Sequence, residues 1–170
     1  YAAVIRDMAE VIKLRASAIG CALPRILLEP GRSLVADAGV TLYTVGSVKT
    51  IKGYKSYVSV DGGMPDNPRY ALYEAPYTVL LASKAAAKAD FICSVVGRCC
   101  ESGDILQENV DLPKPVRGDI LAVLCTGAYN YAMASNYNRI PRPAVVWVKE
   151  GEDRLAIRRE SFEDMTRLEV

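Results

Sequence analysis

The sequence predicts the end of an α/β domain joined to a mainly β domain. Three observations lead there. The first 45 or so residues alternate helix, strand, turn and helix signals, which is the grammar of an α/β fold. From about Val45 onward the chain becomes short runs of Val, Ile, Tyr and Thr separated by Gly, Pro, Asp and Asn, the pattern of successive strands. Hydrophobic residues make up 51% of the 170, enough for a packed core.

Residues 4 to 19, VIRDMAEVIKLRASAI, predict an amphipathic helix with Ile5, Met8, Ile12 and Ile19 near one face. Cys21 to Pro24 break it, and RILLE, Arg25 to Glu29, suits a buried strand. EPGR then makes a turn, Ser33 takes the N-cap position, and Leu34, Ala38, Leu42 and Val45 follow at helical spacing. A domain boundary is expected near residues 44 to 50. Beyond it, TVGSVKTI, SYVSVDGG, YTVLLA, DFICSVVGRC, DILAVLC and AVVWVKEG read as strands. KAAAKAD is expected to connect strands, YNYAMASNYN to form a turn or two of helix, and RRESFEDMTRLE to form a charged C-terminal helix.

Lys and Arg number 21 against 20 Asp and Glu, a net charge of +1, which gives no electrostatic case for nucleic acid or an anionic membrane as partner. No apolar run approaches the roughly 20 residues a spanning helix needs. An odd count of five cysteines without a Cys-x-x-Cys pair points away from a disulfide framework and toward a reducing cytoplasm. The chain has no histidine, which removes His-based zinc sites and Ser-His or Cys-His relays. It starts at Tyr1 inside an apparent helix and carries no signal-peptide pattern, so a piece of a longer protein is expected.

Four stretches carry possible chemistry. In EPGR, Gly31 allows close approach of a ligand to backbone and Arg32 can pair with a carboxylate or phosphate; an ordinary turn with a surface arginine is the alternative. The loop DGGMPDNPRYALY places Arg69 and Tyr73 four residues apart, suited to a carboxylate or simply to a packed surface loop. In CCESGD the options are a metal site, a strained vicinal disulfide, buried structural thiols, or a functional thiol beside Glu101. An unperturbed cysteine thiol stays largely protonated at neutral pH, the right state for a proton donor. In GAYNYAMASNYNRIPRP, Tyr129 at a strand end could bind phosphate or merely close a loop.

The order EPGR, DGGM-x-DN-x-R-x-x-LY, CESGD, and GAY with M-x-SNYN and PRP resembles the diaminopimelate decarboxylase family, pyridoxal-phosphate enzymes of the alanine-racemase-like (fold-type III) group. The resemblance implies a mainly β C-terminal domain preceded by the last helix-strand-helix of a (β/α)8 TIM-type barrel. Residues 1–45 would be the barrel remnant. Residues 46–170 would be the β domain, sandwich- or barrel-like, contributing to the active site and a dimer interface. It implies pyridoxal 5'-phosphate bound by Glu29, Pro30, Gly31, Arg32 and Tyr129. It implies a small amino-acid substrate, meso-diaminopimelate, held by Arg32, Arg69, Tyr73, Glu101 and Tyr129. Cys100 resembles the proton donor, and Cys100 and Glu101 would reach the site of the neighbouring subunit in a homodimer. No metal is implied. The family's cofactor-linking lysine lies on an early barrel strand, and Lys84 and Lys88 match no such motif, so these 170 residues alone are expected to be inactive. Tyr70 stands where the family usually has proline, which would loosen the loop. Decarboxylases of the same fold acting on carboxynorspermidine, ornithine or arginine are the near alternative; a non-catalytic dimerisation or binding domain is the distant one.

Overall fold

A computed structural model describes residues 2–170 as two compact units that part between Pro30 and Gly31. In the first, helix α1 (Ala2–Ala18) matches the amphipathic stretch and carries an exposed Lys13–Glu10 pair at 2.9 Å. Its Ile5 and Met8 are exposed, and Ile19 lies just beyond its end. RILLE is not a strand: Ile26, Leu27 and Leu28 are exposed and unpaired in any ladder. A lone extended run has no neighbour to hydrogen-bond with, so apolar character alone does not make it a strand.

The second unit departs from the expected helix after EPGR. Two single 3-10 turns, Arg32–Leu34 and Ala36–Ala38, lead directly into strand β1 (Val40–Ile51). Ser33 is inside the first turn rather than capping it, and Gly31 occupies the cap position. Leu42 and Val45 are therefore strand residues, and the boundary expected near residue 45 falls inside a continuous strand. Alternation explains the switch: Tyr43 and Val45 are buried while Leu42 and Thr44 face outward, period 2 rather than 3.6.

Six strands form one sheet: β1, β2 (Lys55–Val60), β3 (Val79–Leu81), β4 (Phe91–Val96), β5 (Ile105–Leu112) and β6 (Ile120–Leu124), in the order β3-β6-β1-β2-β4-β5. The long β1 serves two partners. Val40–Thr44 pair with β6, and Val45–Ile51 pair with β2, with an irregularity at Gly46 near the start of the β2 pairing. All contacts are antiparallel except β2 with β4, where Val58 lies opposite Val95. A separate hairpin pairs β7 (Val145–Lys149) with β8 (Glu152–Ile157). The strands expected beyond the EPGR segment, from TVGSVKTI to AVVWVKEG, are present. Strands β5 and β8 escaped the sequence reading because Gln107, Glu108, Asp111, Glu152 and Asp153 interrupt their apolar pattern.

The core lies on one face of this sheet. Val45, Val58, Val95, Leu106, Leu121 and Val123 are each at most 1% exposed. Fully burying such a side chain stabilises by roughly 1.5–3 kcal/mol. Lys84–Asp90 connects β3 to β4 as expected, and Lys84 is anchored by Asp119 at 2.6 Å. Three short helices complete the unit: α2 (Arg69–Tyr73), α3 (Asn130–Met133) and α4 (Phe162–Thr166). The C-terminal helix is shorter than expected, and a capping box between Ser161 and Asp164 sets its start.

The strand directions decide where the motifs lie. Strands β2, β4 and β6 run the same way, so the segments following them leave the same end of the sheet. These carry DGGMPDNPR, RCCESGD and CTGAY. β1 runs oppositely, so the segment before it, with Gly31 and Arg32, enters at that end too. Gly127 fastens the junction. Its N–H donates to the Ala36 carbonyl at 2.9 Å, and a Cβ on it would lie 2.1 Å from the Val35 carbonyl oxygen.

Candidate functional site

At this end of the sheet a cavity of about 320 Å³ is lined by Arg32, Pro68, Arg69, Tyr73, Ala128, Tyr129, Asn130 and Met133. It joins four residues singled out from three distant motifs: Arg32, Arg69, Tyr73 and Tyr129. Its lining holds two guanidinium groups and no carboxylate, so it favours an anionic ligand.

Arg32 is half-buried and fixed by the end of β6. Its Nη1 donates to the Ala128 carbonyl at 3.4 Å, its Nη2 donates to the Cys125 carbonyl, and its guanidinium lies 5.7 Å from the Tyr77 ring centroid. A guanidinium has five N–H donors, so donors remain to meet an anion. Arg69 opens α2, and its Nε is buried with no hydrogen-bond partner among the described residues. Leaving such a donor unpaired is costly, which suits a group that a ligand completes. Tyr73 closes α2 and is exposed, as is Tyr129.

Tyr129 has the left-handed backbone φ of 70°, uncommon for a bulky residue. That turn brings its hydroxyl against Gly31, where a Cβ would lie 2.2 Å from it. A tyrosine nearly 100 residues away thus occupies the space that a side chain at the glycine of EPGR would fill. Glu29 and Pro30 are exposed and belong to the first compact unit.

Beneath the cavity is a polar knot that sequence reasoning missed. Asn130 Nδ2 donates to Asn67 Oδ1 at 2.6 Å and to Tyr77 Oη at 3.1 Å, with all three residues buried. It ties the DNPR loop to the segment after GAY and to the residues leading into β3. Burial pushes the Tyr77 hydroxyl's pKa up, against hydrogen bonding from Asn130 and the charge of Arg32. The available signal was the asparagine inside each motif, but nothing in a sequence marks an asparagine as buried.

Cys100 and Glu101 are not in the cavity lining. They occupy the turn between β4 and β5, and both are exposed. Buried Asp104 shapes that turn by accepting from the N–H of Cys99 and of Met64, each at 2.7 Å, so it also fastens the DGGM loop. Glu101 Oε1 accepts from the Gly103 N–H at 3.0 Å, and Oε2 accepts from the Tyr137 hydroxyl at 3.2 Å. These bonds hold the Glu101 carboxyl below its ordinary pKa, the backbone bond foremost. Cys99 is half-buried, and desolvation with the nearby Asp104 carboxylate pushes its thiol up to about 11. The two adjacent cysteines therefore differ: one is enclosed and protonated, the other open to solvent. All five cysteines are unpaired.

Tyr70 does not leave the loop slack. Its hydroxyl donates to Glu108 Oε2 at 3.2 Å, and Glu108 also pairs with Lys55, so α2 is tethered to β5 and β2. Among the described residues no helix is long and apolar enough to cross a membrane.

The sequence is 53% identical over 166 residues to a diaminopimelate decarboxylase of Bacillus subtilis, covering 98% of this chain and 38% of that protein. Its structure resembles diaminopimelate decarboxylase from M. jannaschii in co-complex with L-lysine, with TM-score 0.81 and 34% identity over 93% of this chain and 36% of that one. A lysine/ornithine decarboxylase from Vibrio vulnificus complexed with cadaverine is more distant, at TM-score 0.59 and 26% identity over 69% of this chain and 32% of that one. The chain thus spans little more than a third of the length of the relatives it matches. The family described as "Pyridoxal-dependent decarboxylase, C-terminal sheet domain" matches residues 8–127, and the chain belongs to that family.

Proposed function

We propose that the protein to which this chain belongs decarboxylates meso-2,6-diaminopimelate to L-lysine and carbon dioxide with pyridoxal 5'-phosphate, the chain supplying the C-terminal part. The observation that carries this reading is the cavity joining Arg32, Arg69, Tyr73 and Tyr129, with an orphaned buried Nε on Arg69. The stronger likeness to diaminopimelate decarboxylases than to a lysine/ornithine decarboxylase favours this substrate over its nearest alternatives.

The residues present fit the cofactor. The Tyr129 hydroxyl lies against Gly31, and Arg32 and Tyr129 both line the cavity, so a guanidinium and a hydroxyl are available to an anion there. Gly31, Arg32 and Tyr129 would hold the phosphate, with Glu29 and Pro30 completing the segment. When bound, the cofactor supplies an electron sink for loss of carbon dioxide. The rest falls to side chains. Arg69 and Arg32 bind substrate carboxylate by charge and fork geometry, and Tyr73 adds a hydroxyl. Glu101 accepts the ammonium of the end that does not react, which rejects shorter analogues lacking it. Cys100 delivers the proton that replaces the lost carboxylate.

Cys100 and Glu101 lie outside the cavity of their own chain, which supports their service in a neighbouring subunit's cavity within a two-fold homodimer. Five unpaired thiols support a reducing, cytoplasmic setting. The test is to compare decarboxylation of meso-diaminopimelate, ornithine, arginine and carboxynorspermidine by the full-length protein. The expected result is strong preference for diaminopimelate; a higher rate on ornithine overturns the assignment. Mixing Cys100→Ala with Arg69→Ala subunits should restore part of the activity, and no restoration would overturn the shared site.

A further inference from the structure

The SNYN motif, residues 135 to 138, lies outside the cavity, yet every part of it is held in place. The Ser135 N–H donates to the Pro65 carbonyl at 2.7 Å, inside the DGGMPDNPR loop. The Ser135 hydroxyl accepts from the Tyr137 N–H at 3.4 Å. Asn136 Nδ2 donates to Glu160 Oε2 at 2.7 Å and to the Ile140 carbonyl at 3.1 Å. Asn138 takes a left-handed φ of 54°, which sets the turn. What this scaffold presents is the Tyr137 hydroxyl, which donates to Glu101.

We propose that Tyr137 is a specificity-positioning residue: it fixes the Glu101 carboxylate so that the carboxylate meets the ammonium at the non-reacting end of the substrate. The inference rests on the role given to Glu101 above. One Glu101 oxygen is held by the Gly103 N–H and the other by Tyr137, so both rotation and tilt of the carboxylate are restrained. Each carboxylate oxygen can accept about two hydrogen bonds, so capacity remains for an ammonium group. Glu101 is an exposed side chain on a turn, and without the hydroxyl it keeps the Gly103 anchor and its contacts with the adjacent Ser102. The carboxylate in turn raises the pKa of the Tyr137 hydroxyl, so the phenol remains a donor at neutral pH.

The experiment uses the full-length protein loaded with pyridoxal phosphate. Tyr137→Phe should raise KM for meso-diaminopimelate about 5- to 20-fold and change kcat less than about threefold. The apparent inhibition constant of 2-aminopimelate, which lacks the distal amine, should stay within about twofold. Adding Tyr137→Phe to Glu101→Gln should cause little further loss, because the residue acts through Glu101. Additive losses, or equal weakening of both ligands by Tyr137→Phe, overturn the proposal. If Glu101→Gln itself weakens both ligands equally, the distal-amine role of Glu101 fails and the proposal with it. If Glu101→Gln discriminates between them while Tyr137→Phe is inert, only the role of Tyr137 fails.

Discussion

The Tyr129 hydroxyl rests so close to Gly31 that a Cβ on the glycine would lie 2.2 Å from it. The contact joins the EPGR turn to the end of β6. The crowded atom is the far end of a side chain, which can swing aside. Gly31→Ala should therefore cost little folding stability but displace Tyr129 from the site. The expected result in the full-length protein is a fall in cofactor affinity of about tenfold or more, with the thermal midpoint nearly unchanged. Titration of cofactor absorbance checks it; unaltered affinity would show that Tyr129 does not help hold the phosphate.

Gly127→Ala should behave in the opposite way. Its Cβ would press on the backbone carbonyl of Val35, which has no side-chain freedom with which to yield. Overpacking of this kind costs roughly 1–3 kcal/mol. The urea midpoint should drop accordingly, and a wild-type midpoint would show that the β1–β6 junction relaxes.

Arg69→Lys keeps the positive charge but loses the fork and the orphaned Nε. A hydrogen bond to a charged group contributes about 1.5–3 kcal/mol, so KM for substrate should rise roughly 10- to 100-fold. Steady-state kinetics checks this, and an unchanged KM would remove Arg69 from the carboxylate site.

The two adjacent cysteines should separate chemically. Cys100→Ala should lower turnover roughly 100- to 10,000-fold with cofactor absorbance retained, the range of a general acid. Cys99→Ala should lose far less. Iodoacetamide at neutral pH should alkylate Cys100 ahead of Cys99, whose thiol is held up near 11 and half-enclosed. Preferential labelling of Cys99 would reverse the assignment.

Cys93 gives a pH signature. Burial, with Asp111 nearby, raises its thiol from an ordinary value of 9.0 to about 11. The folded state thus favours the protonated form more than the unfolded chain does. This contribution is fully present below about pH 9 and is lost as pH rises toward about 11. The urea midpoint should decline over that window, and less steeply in Cys93→Val. Identical slopes would mean that Cys93 does not titrate with unfolding.

Much of this protein was legible in the sequence. Alternating Val, Ile and Tyr runs located most strands, because a half-buried strand needs period 2 whatever its neighbours are. Turn chemistry located the loops, and the motif order matched the family. The sequence reading failed where partners decide. RILLE has strand composition but no partner strand within this chain, the Leu34-to-Val45 run mimics helical spacing but forms two 3-10 turns and from Val40 a strand paired first with β6 and then with β2, and charged β5 is a strand because β4 pairs with it. The site itself was visible only as separate fragments. The shared direction of β2, β4 and β6 brings Arg69, Glu101 and Tyr129 to one end of the sheet, and long-range pairing carries no signature in local sequence. Buried Asn67, Asn130 and Asp104 were invisible for a related reason. A polar side chain can be buried only when distant donors and acceptors meet it, and that meeting exists only in the folded structure.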